Sequence, residues 1–244
     1  MTRAGFLKKI IFEKVITRLN ALNSRHSLVG DTPFLDSKGF PWVRELESNW
    51  SLIRKELEGI IRYREELPNI QDISKEQLPL TDDNLWKTYI LFAYGHKHEK
   101  SCHRCPGTTR VVENIPGMKT AMFSIIGPRK HIPAHQGAYK GLVRCHLGLI
   151  VPNPNPKCRI SVGTETGYWE EGASLIFDDT FPHEVWNDTD EYRVVLLLDV
   201  VRPLPFPLSV INGLVIKGFG SLPLVKDGNV NYENWDVRFE RDTA

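Results

Sequence analysis

The feature that most constrains the fold of this chain is a series of short β-rich runs that begins at Trp86 and ends at Val201. The runs are Trp86–Tyr94, Thr120–Ile126, Leu142–Val151, Arg159–Val162, Ser174–Phe177, His183–Trp186 and Tyr192–Val201. Turn-forming residues separate them, without the crossover helices that parallel strands require. Short strands at this spacing indicate an antiparallel sandwich, barrel or jelly roll. We therefore predict a mainly β core at residues 86–203.

The segments on either side of this core have different patterns. Residues 1–85 are predicted to form a helical extension, because apolar residues recur at helical spacing from Trp50 to Ile60 before Leu67-Pro68 ends that helix. The prolines at 203, 205 and 207 cannot donate to a sheet ladder. Residues 204–244 are therefore predicted to wrap the core irregularly, with one short helix near residues 209–217. The last twenty residues carry no chemical signal.

Composition excludes several classes of function. The chain has 244 residues with 31 basic and 30 acidic side chains, so its net charge of +1 gives no basic field for nucleic acid. Four cysteines are too few for a disulfide scaffold in a chain of this length, and we expect reduced thiols and a cytoplasmic location. Residues 203–216 are uncharged but contain three prolines, and they are fewer than the ~20 apolar residues of a spanning helix.

The first 30 residues are strongly basic and contain a single acidic residue, Glu13. Their lysines and arginines are Arg3, Lys8, Lys9, Lys14, Arg18 and Arg25, and apolar residues are interleaved with them. One interpretation is a helix that rests on the anionic inner face of a membrane. The other is an ordinary helix docked on the core with its charges in water. The sequence leaves both interpretations open.

Two histidines and an arginine stand where the predicted strands begin or end. His135 comes after the run Thr120–Ile126, His183 begins a later run, and Arg193 lies ten residues beyond His183 in an apolar strand. A charged group is rarely buried unless an anion pairs with it. Two neutral imidazoles on Fe(II), with an arginine on the far carboxylate of 2-oxoglutarate, would explain this pattern. Spacing alone leaves open that these are unrelated core or surface residues.

The usual third iron ligand is missing from this pattern. A facial triad has a carboxylate two positions after its first histidine, and here that position is Gly137. Taken from the residues alone, this counts against an iron site. Two neutral ligands would leave the metal an additional open position and a bound water held by a nearby acid. Asp179, four residues before His183, is our candidate for that acid, and an Asx turn is the alternative.

Four runs of the chain resemble the aspartyl/asparaginyl β-hydroxylase family, which includes bacterial lipid A acyl-chain hydroxylases. They are His131–His135, Arg144–Leu149, Trp169–Gly172 and Phe177–Glu184. The resemblance implies a double-stranded β-helix (jelly-roll or cupin-like) core, Fe(II) as the metal, and 2-oxoglutarate and O2 as cosubstrates. In that family two histidines hold the iron and a glycine stands at the third position. The resemblance therefore implies that His135 and His183 are the metal ligands.

The resemblance also implies roles for four further residues. Arg193 would pair with the far carboxylate of 2-oxoglutarate, and Ser124 would lie beside it. His146 would also contact the cosubstrate, and Arg144, two residues earlier on the same strand face, would reach the substrate. Some members carry another arginine two positions before Arg144, where this chain has Leu142. This departure counts against the recognition of a substrate carboxylate.

The sequence thus predicts an Fe(II)/2-oxoglutarate-dependent dioxygenase that hydroxylates an unactivated C–H bond. As its substrate we rank the β-carbon of an aspartyl- or asparaginyl-like residue or amino acid first, and an acyl chain of lipid A or another lipid second. A jelly-roll binding module without turnover is a third reading.

Other histidines and cysteines need no catalytic role. Cys102 and Cys105 form a Cys-x-x-Cys motif without a second pair at metal-site spacing, so buried free thiols are favoured over zinc. His96 and His98 fall in a polar segment that we predict to be exposed. The run Trp169–Gly172 is interpreted as a packed turn.

Overall fold

The computed structural model describes residues 3–153 and 155–243. Its α-helices are α1 (Arg3–His26), α2 (Val43–Ser48), α3 (Trp50–Ile61), α4 (Ile70–Ile73), α5 (Glu99–Arg104), α6 (Pro106–Glu113), α7 (Leu208–Gly220) and α8 (Pro223–Thr243). Its strands are β1 (Trp86–Ala93), β2 (His96–Lys97), β3 (Met118–Ile126), β4 (His131–His135), β5 (Leu142–Ile150), β6 (Cys158–Val162), β7 (Glu165–Tyr168), β8 (Ser174–Phe177), β9 (His183–Asn187) and β10 (Arg193–Val201). Short 3-10 helices lie at Ser37–Gly39, Lys75–Gln77 and Asn155–Lys157.

The strands form two sheets that together make a double-stranded β-helix. The larger sheet has the strand order β2-β1-β3-β10-β5-β8, and the smaller sheet has the order β4-β9-β6-β7. Neighbouring strands in both sheets run antiparallel. Strands distant in sequence are neighbours in space, since β10 lies between β3 and β5. The predicted mainly β core of jelly-roll type is confirmed.

The larger sheet separates two hydrophobic cores. Along β5, Val143, Cys145 and Leu147 are buried in the core that the sheet shares with the helices. Successive side chains of a strand point to opposite faces, so Arg144 and His146 project to the other face. That face looks toward the smaller sheet, and the second core lies between the two sheets. Polar side chains of the larger sheet are therefore directed into the space between the sheets.

The helix α3 packs against the outer face of the larger sheet, as its spacing predicts. Ile53, Leu57 and Ile60 are buried along one side of it. The Nε1 of Trp50 donates to the backbone oxygen of Gly148, at 2.8 Å, which ties the start of α3 to β5. The N-terminal helices thus support the strand that carries two of the predicted site residues.

The C-terminal segment is helical, and the prediction of an irregular wrap over residues 204–244 is wrong beyond residue 207. The helices α7 and α8 replace it, and α7 is longer than the short helix expected there. In α8, Tyr232, Trp235 and Phe239 are buried in the core beneath the larger sheet. The pattern was missed because α8 contains glycine and several asparagines, which are poor helix formers. Burial of its aromatic side chains stabilises the helix instead.

None of the described helices is by itself long and apolar enough to span a bilayer. The helix α7 and residues Pro223–Phe239 of α8 reach that length and composition only together, with a bend of 56° between them.

All four cysteines are buried and free. The Sγ of Cys102 donates to the backbone oxygen of Leu91 at 3.4 Å, and Cys105 is fully buried in the core. Burial raises the pKa of both thiols, which disfavours the thiolate form that zinc binds. Within the described part of the chain, neither cysteine belongs to a group of three potential metal ligands. They are packing residues, as the sequence favours.

Candidate active site

His135 and His183 lie opposite each other on neighbouring strands of the smaller sheet. The strand β4 pairs with β9, and the register places His135 directly across from His183. Directly opposed residues project to the same face of a sheet. The centroids of the two imidazole rings are accordingly 4.1 Å apart.

A backbone carbonyl orients each of these imidazoles. The Nδ1 of His135 donates to the oxygen of Pro133 at 2.9 Å, and the Nδ1 of His183 donates to the oxygen of Phe181 at 3.0 Å. These bonds leave the Nε2 of each neutral ring as an acceptor, which is the form that binds metals. Burial lowers the pKa of both histidines, and that of His183 falls to about 3. Both rings are therefore neutral at physiological pH.

Gly137 lies directly against Asp179. The amide of Gly137 donates to the backbone oxygen of Asp179 at 2.7 Å. An ideal Cβ on Gly137 would lie only 2.6 Å from the Oδ1 of Asp179. Burial raises the pKa of the Asp179 carboxyl to about 6. The acid that we predicted to hold a bound water thus lies beside the position where the usual third ligand is missing.

The guanidinium of Arg193 is buried without an anion. The residue is 2% exposed, and neither its Nε nor its Nη1 has a hydrogen-bond partner. The guanidinium lies over the ring of Trp169, 4.4 Å from the centroid. Burial lowers the pKa of Arg193 to about 10. A buried cation of this kind is costly unless a ligand brings the missing negative charge.

His146 offers a second unpaired donor. The Nε1 of Trp169 donates to the Nδ1 of His146 at 3.2 Å. Because Nδ1 accepts, the neutral ring carries its hydrogen on Nε2, and that atom is buried without a partner. Burial holds the pKa of His146 well below its usual value. Trp169 therefore orients both His146 and Arg193.

Ser124 lies on the same face of the larger sheet as Arg193. The register pairs Ser124 with Val195, two residues along β10 from Arg193, so the two side chains are diagonal neighbours. The Oγ of Ser124 accepts a hydrogen bond from the Nε1 of Trp86 at 3.2 Å. The structure thus brings together Ser124, His146 and Arg193, the three residues predicted to contact 2-oxoglutarate.

Arg144 is engaged by two carboxylates. Its Nε lies 2.8 Å from the Oδ1 of Asp199, and its Nη2 lies 3.3 Å from the Oδ2. The same Nη2 lies 3.2 Å from the Oδ2 of Asp179. Burial lowers the pKa of Arg144, but the two carboxylates outweigh burial and raise that pKa above its usual value. Arg144, the predicted substrate contact, therefore already has its positive charge compensated by carboxylates of the protein.

Two cavities adjoin these residues. The first has a volume of about 240 Å³ and contains Arg144 and Asp199 in its wall. Its apolar lining includes Ile70, Ile73, Ile90, Met122, Leu224 and Val225. The second has a volume of about 440 Å³ and is lined by Gly137, by residues of α1 and by Phe219 of α7. Leu224 of α8 lines the first cavity, and Phe219 of α7 lines the second.

The sequence that forms this site matches a known family of enzymes. The sequence model of the Aspartyl/Asparaginyl beta-hydroxylase family matches residues 47–203. This chain belongs to the aspartyl/asparaginyl β-hydroxylase family. The match contains both histidines of the pair and the unpaired Arg193. The resemblance inferred from the sequence motifs is confirmed.

Curated relatives include hydroxylases of lipids and of amino-acid side chains. The ornithine lipid ester-linked acyl 2-hydroxylase of Rhizobium tropici is 42% identical over 93% of this chain and 81% of its own length. The human aspartyl/asparaginyl beta-hydroxylase is 35% identical over 66% of this chain, but only 21% of its own length is covered. The human aspartate beta-hydroxylase domain-containing protein 2 is 31% identical over 66% of this chain and 44% of its own length. The protein is a hydroxylase of this family.

Solved structures resemble this hydroxylase only distantly. The cupin domain of Cnp3 from Schizosaccharomyces pombe is 14% identical, with a TM-score of 0.35 over 60% of this chain and 77% of that chain. The fold of the hydroxylase is established by its own strand pairing.

Sequence reasoning missed two residues of this hydroxylase site. Trp169 is more than a packed turn, because it contacts both Arg193 and His146. Its place in a run that resembles the family was the available signal. Asp199 holds Arg144 from β10. A charged residue in an apolar strand was the same signal that singled out Arg193.

A different group of potential metal ligands consists of His96 on β2, His98 just before α5, and Glu233 on α8. The Nε2 of His96 lies 2.8 Å from the Oε1 of Glu233, which ties the sheet edge to the C-terminal helix. His98 is 3% exposed, so its predicted exposure is wrong. The ring of Tyr232 covers it at a centroid distance of 4.6 Å. We interpret this group as a packing contact of α8.

Proposed function

We propose that this hydroxylase is an Fe(II)- and 2-oxoglutarate-dependent dioxygenase that hydroxylates an acyl chain of a membrane lipid at the carbon beside its carbonyl. The dioxygenase chemistry is supported above all by the buried guanidinium of Arg193, which lacks an anion, together with a pair of neutral histidines. The chemistry that iron, 2-oxoglutarate and O2 supply together is the hydroxylation of an unactivated C–H bond, with succinate and carbon dioxide as coproducts.

The donor set of the histidine pair fits Fe(II). His135 and His183 would present two neutral Nε2 atoms from one sheet face, because their Nδ1 atoms are engaged by carbonyl oxygens. Imidazole is a suitable ligand for iron, and two protein ligands leave positions for a chelating cosubstrate and oxygen. Asp179 would hold a bound water in place of a protein carboxylate ligand.

The unpaired donors fit the far carboxylate of 2-oxoglutarate. The guanidinium of Arg193 would supply a planar fork of N–H donors, which matches a carboxylate bidentately, and two of its nitrogens, Nε and Nη1, are buried without a partner. Ser124 lies beside it, and His146 would donate from its Nε2. Binding of the dianion would give these buried donors an acceptor, so part of the cost of burying them unpaired would be recovered when the cosubstrate binds.

The lining of the first cavity favours an acyl chain over an aspartyl side chain. Arg144 has its charge compensated by Asp199 and Asp179, so it offers little net attraction to a substrate carboxylate. A second arginine two positions earlier is replaced by Leu142. The rest of the cavity wall combines aliphatic side chains with a few polar ones, and its further charged residue, Glu76, is acidic and would repel a substrate carboxylate. A relative that shares nearly the whole length of this chain is a lipid acyl 2-hydroxylase. These observations reverse the substrate ranking that the sequence alone suggested.

An anaerobic titration tests the chemistry. Fe(II) and then 2-oxoglutarate are added to metal-free protein while the visible charge-transfer band of the chelate is recorded. We expect a band in the wild type and in His26→Ala, whose histidine is exposed at the end of α1. The band should be lost in His135→Ala and His183→Ala. A wild-type protein that shows no band and no iron uptake would instead be a binding module.

A substrate comparison then tests the acyl proposal. Succinate release is measured with an ornithine-containing acyl lipid in detergent micelles and, separately, with an aspartyl peptide at the same concentration. We expect succinate release above the substrate-free background with the lipid and not with the peptide. Peptide-dependent release without lipid-dependent release would support the β-hydroxylation of amino-acid side chains instead.

A further inference from the structure

The helix α7 exposes several apolar side chains. Val210, Ile211 and Leu214 are 53%, 43% and 66% exposed. Its buried side contains Leu208 and Ile216 together with the polar Asn212. The Nδ2 of Asn212 donates to the oxygen of Gly141 at 2.9 Å, and its Oδ1 accepts from the hydroxyl of Tyr139 at 2.8 Å. A surface helix of a globular protein normally exposes polar side chains, so the apolar outer side of α7 is unusual.

The helix α1 also exposes apolar side chains. Its exposed apolar side chains include Phe12, Val15 and Leu22, whereas Asn23 is fully buried. The Nδ2 of Asn20 donates to the oxygen of Ala138 at 3.0 Å, and its Oδ1 accepts from the amide of Lys140 at 2.9 Å. Both helices are thus fastened through asparagine side chains to the loop that follows His135, and both present apolar residues to the exterior.

The two helices adjoin, because the ring of Phe12 packs edge-on against Phe219 with centroids 6.3 Å apart. We call the exposed apolar side chains of these two helices, together with that of Phe206 just before α7, the outer apolar surface. It consists of Phe12, Val15, Leu22, Phe206, Val210, Ile211 and Leu214. Residues 203–216 contain no charged side chain. Exposed apolar surface of this extent marks a contact with another molecule or with a membrane.

Basic side chains flank the outer apolar surface. Lys14 and Arg18 are exposed on α1, and Lys217 is exposed near the end of α7. The first 30 residues contain six lysines and arginines against the single acid Glu13. An apolar surface with a basic border is complementary to a bilayer that contains anionic lipids, since the apolar part enters the acyl region and the cations meet the headgroups.

The outer apolar surface lies next to the candidate active site. The 440 Å³ cavity is lined by Phe12 and Ile16 of α1 and by Phe219 of α7, and it reaches Gly137 and Thr180. Gly137 follows His135 by two residues. A protein that contacts a membrane through α1 and α7 would therefore open this cavity toward the lipid.

The two helices lie outside the part of the chain that the family model matches. The family match ends at residue 203 and begins at residue 47, so it includes neither α1 nor α7. The alignment with the lipid hydroxylase covers 93% of the chain and therefore contains α7 whichever end it leaves out. The helix α7, which carries three of the seven residues of the outer apolar surface, is thus shared with an enzyme that acts on a lipid.

We infer that α1 and α7 dock this protein on an anionic membrane surface, with the outer apolar surface inserted among the lipids and the adjoining cavity open to them. This inference rests on the proposed function only where it names an acyl lipid as the substrate that the membrane supplies. Docking itself requires no turnover, so the two can be tested separately.

Vesicle sedimentation tests the docking. The full chain is mixed with vesicles of phosphatidylcholine and phosphatidylglycerol in equal parts, or of phosphatidylcholine alone, and the bound fraction is measured. The test variants are Ile211→Ser/Leu214→Ser and Lys14→Glu/Arg18→Glu. A matched control is Leu78→Ser/Val237→Ser, which alters residues that are equally exposed elsewhere, at 52% and 56%. Turnover of an acyl lipid is recorded in vesicles and in detergent micelles.

We expect the wild type to bind the anionic vesicles. Each test variant should lower this binding at least tenfold, whereas the control should leave it unchanged. Each test variant should lose turnover in vesicles by a similar factor and keep its turnover in micelles. Binding that the test variants do not lower would overturn the docking. A wild-type protein that does not bind the vesicles would overturn it as well. In that case, a dimer that Ile211→Ser/Leu214→Ser dissociates would identify a second copy of this chain as the partner of the outer apolar surface. Vesicle binding without turnover of any lipid would leave the docking in place and count against the proposed function.

Discussion

The carboxylate of Asp179 lies in the space that a side chain at Gly137 would need. An ideal Cβ on Gly137 would be 2.6 Å from the Oδ1 of Asp179 and 2.8 Å from its Oδ2. Arg144 contacts the same carboxylate at 3.2 Å and limits its movement. A carboxylate is therefore present beside the histidine pair, but it comes from the loop before β9 and not from the position two residues after His135. The glycine is a steric requirement of that arrangement.

Gly137→Asp should therefore weaken the site, although it restores the sequence of a facial triad. We expect Fe(II) affinity and turnover to fall at least ~10-fold, because overpacking of a filled site costs about 1–3 kcal/mol. Isothermal titration with Fe(II) under anaerobic conditions and urea unfolding measure the two effects. The double variant Gly137→Asp/Asp179→Ala should recover stability, since the clash is removed. A single variant that binds iron more tightly than the wild type would show that Asp179 does not fill this space.

Arg193→Met should separate stability from cosubstrate binding. Removing an unpaired buried charge is expected to leave the Tm of the ligand-free protein unchanged or raise it. The stabilisation by 2-oxoglutarate should disappear, whereas the wild type gains about 2.7 kcal/mol at a concentration of 100 times its Kd. Thermal unfolding with and without 2-oxoglutarate gives both values. Arg159→Met, which removes a surface partner of Asp188, should keep the ligand-induced shift. Equal shifts in the wild type and Arg193→Met would exclude Arg193 from the cosubstrate site.

Trp169→Phe should isolate the hydrogen bond that orients His146. Phenylalanine keeps an aromatic ring beneath Arg193 but lacks the donor that reaches His146 Nδ1. Loss of one such bond is worth about 1 kcal/mol, so the KM for 2-oxoglutarate should rise about fivefold while kcat at saturation changes little. Steady-state succinate release measures both parameters. Trp186→Phe is the control, because Trp186 stacks on His131 outside this group. An unchanged KM would mean that the bond does not position His146.

Asp178 is predicted to stabilise the loop between β8 and β9. It is fully buried and accepts hydrogen bonds from Arg202, from Lys140 and from the amide of Thr180. Asp178→Asn leaves the fully buried guanidinium of Arg202 without its anion, whereas Lys140 keeps its contact with Asp31. Breaking a buried pair costs about 3–5 kcal/mol. Urea unfolding measures the loss. Asp188→Asn, which removes the exposed partner of Arg159, should cost less than about 1 kcal/mol. Equal losses in the two variants would contradict this account.

The parts of this fold that sequence reasoning recovered are those that local patterns encode. Alternation along β5 predicted that Arg144 and His146 share a face, and the charge of Arg193 within an apolar strand predicted its buried position. The helix α8 was missed, because its stability comes from aromatic residues that pack against a distant sheet. The contact of Arg144 with Asp199 was missed for a related reason. It depends on the register between β5 and β10, which no short segment specifies.

That contact leads to a prediction about substrate choice. Asp199 engages Arg144 through two hydrogen bonds and compensates its charge where the first cavity begins. Asp199→Asn keeps the shape of the side chain and removes its charge, so Arg144 becomes available to an added carboxylate. One charge-assisted hydrogen bond is worth about 1.5 kcal/mol, and we expect an N-acyl aspartate to inhibit the variant about tenfold more strongly than the wild type. Competitive inhibition of lipid turnover measures this change, with the uncharged N-acyl asparagine as the control. If both compounds inhibit the variant and the wild type equally, Asp199 does not exclude acidic substrates, and the preference for an acyl chain has its origin in the apolar wall of the cavity.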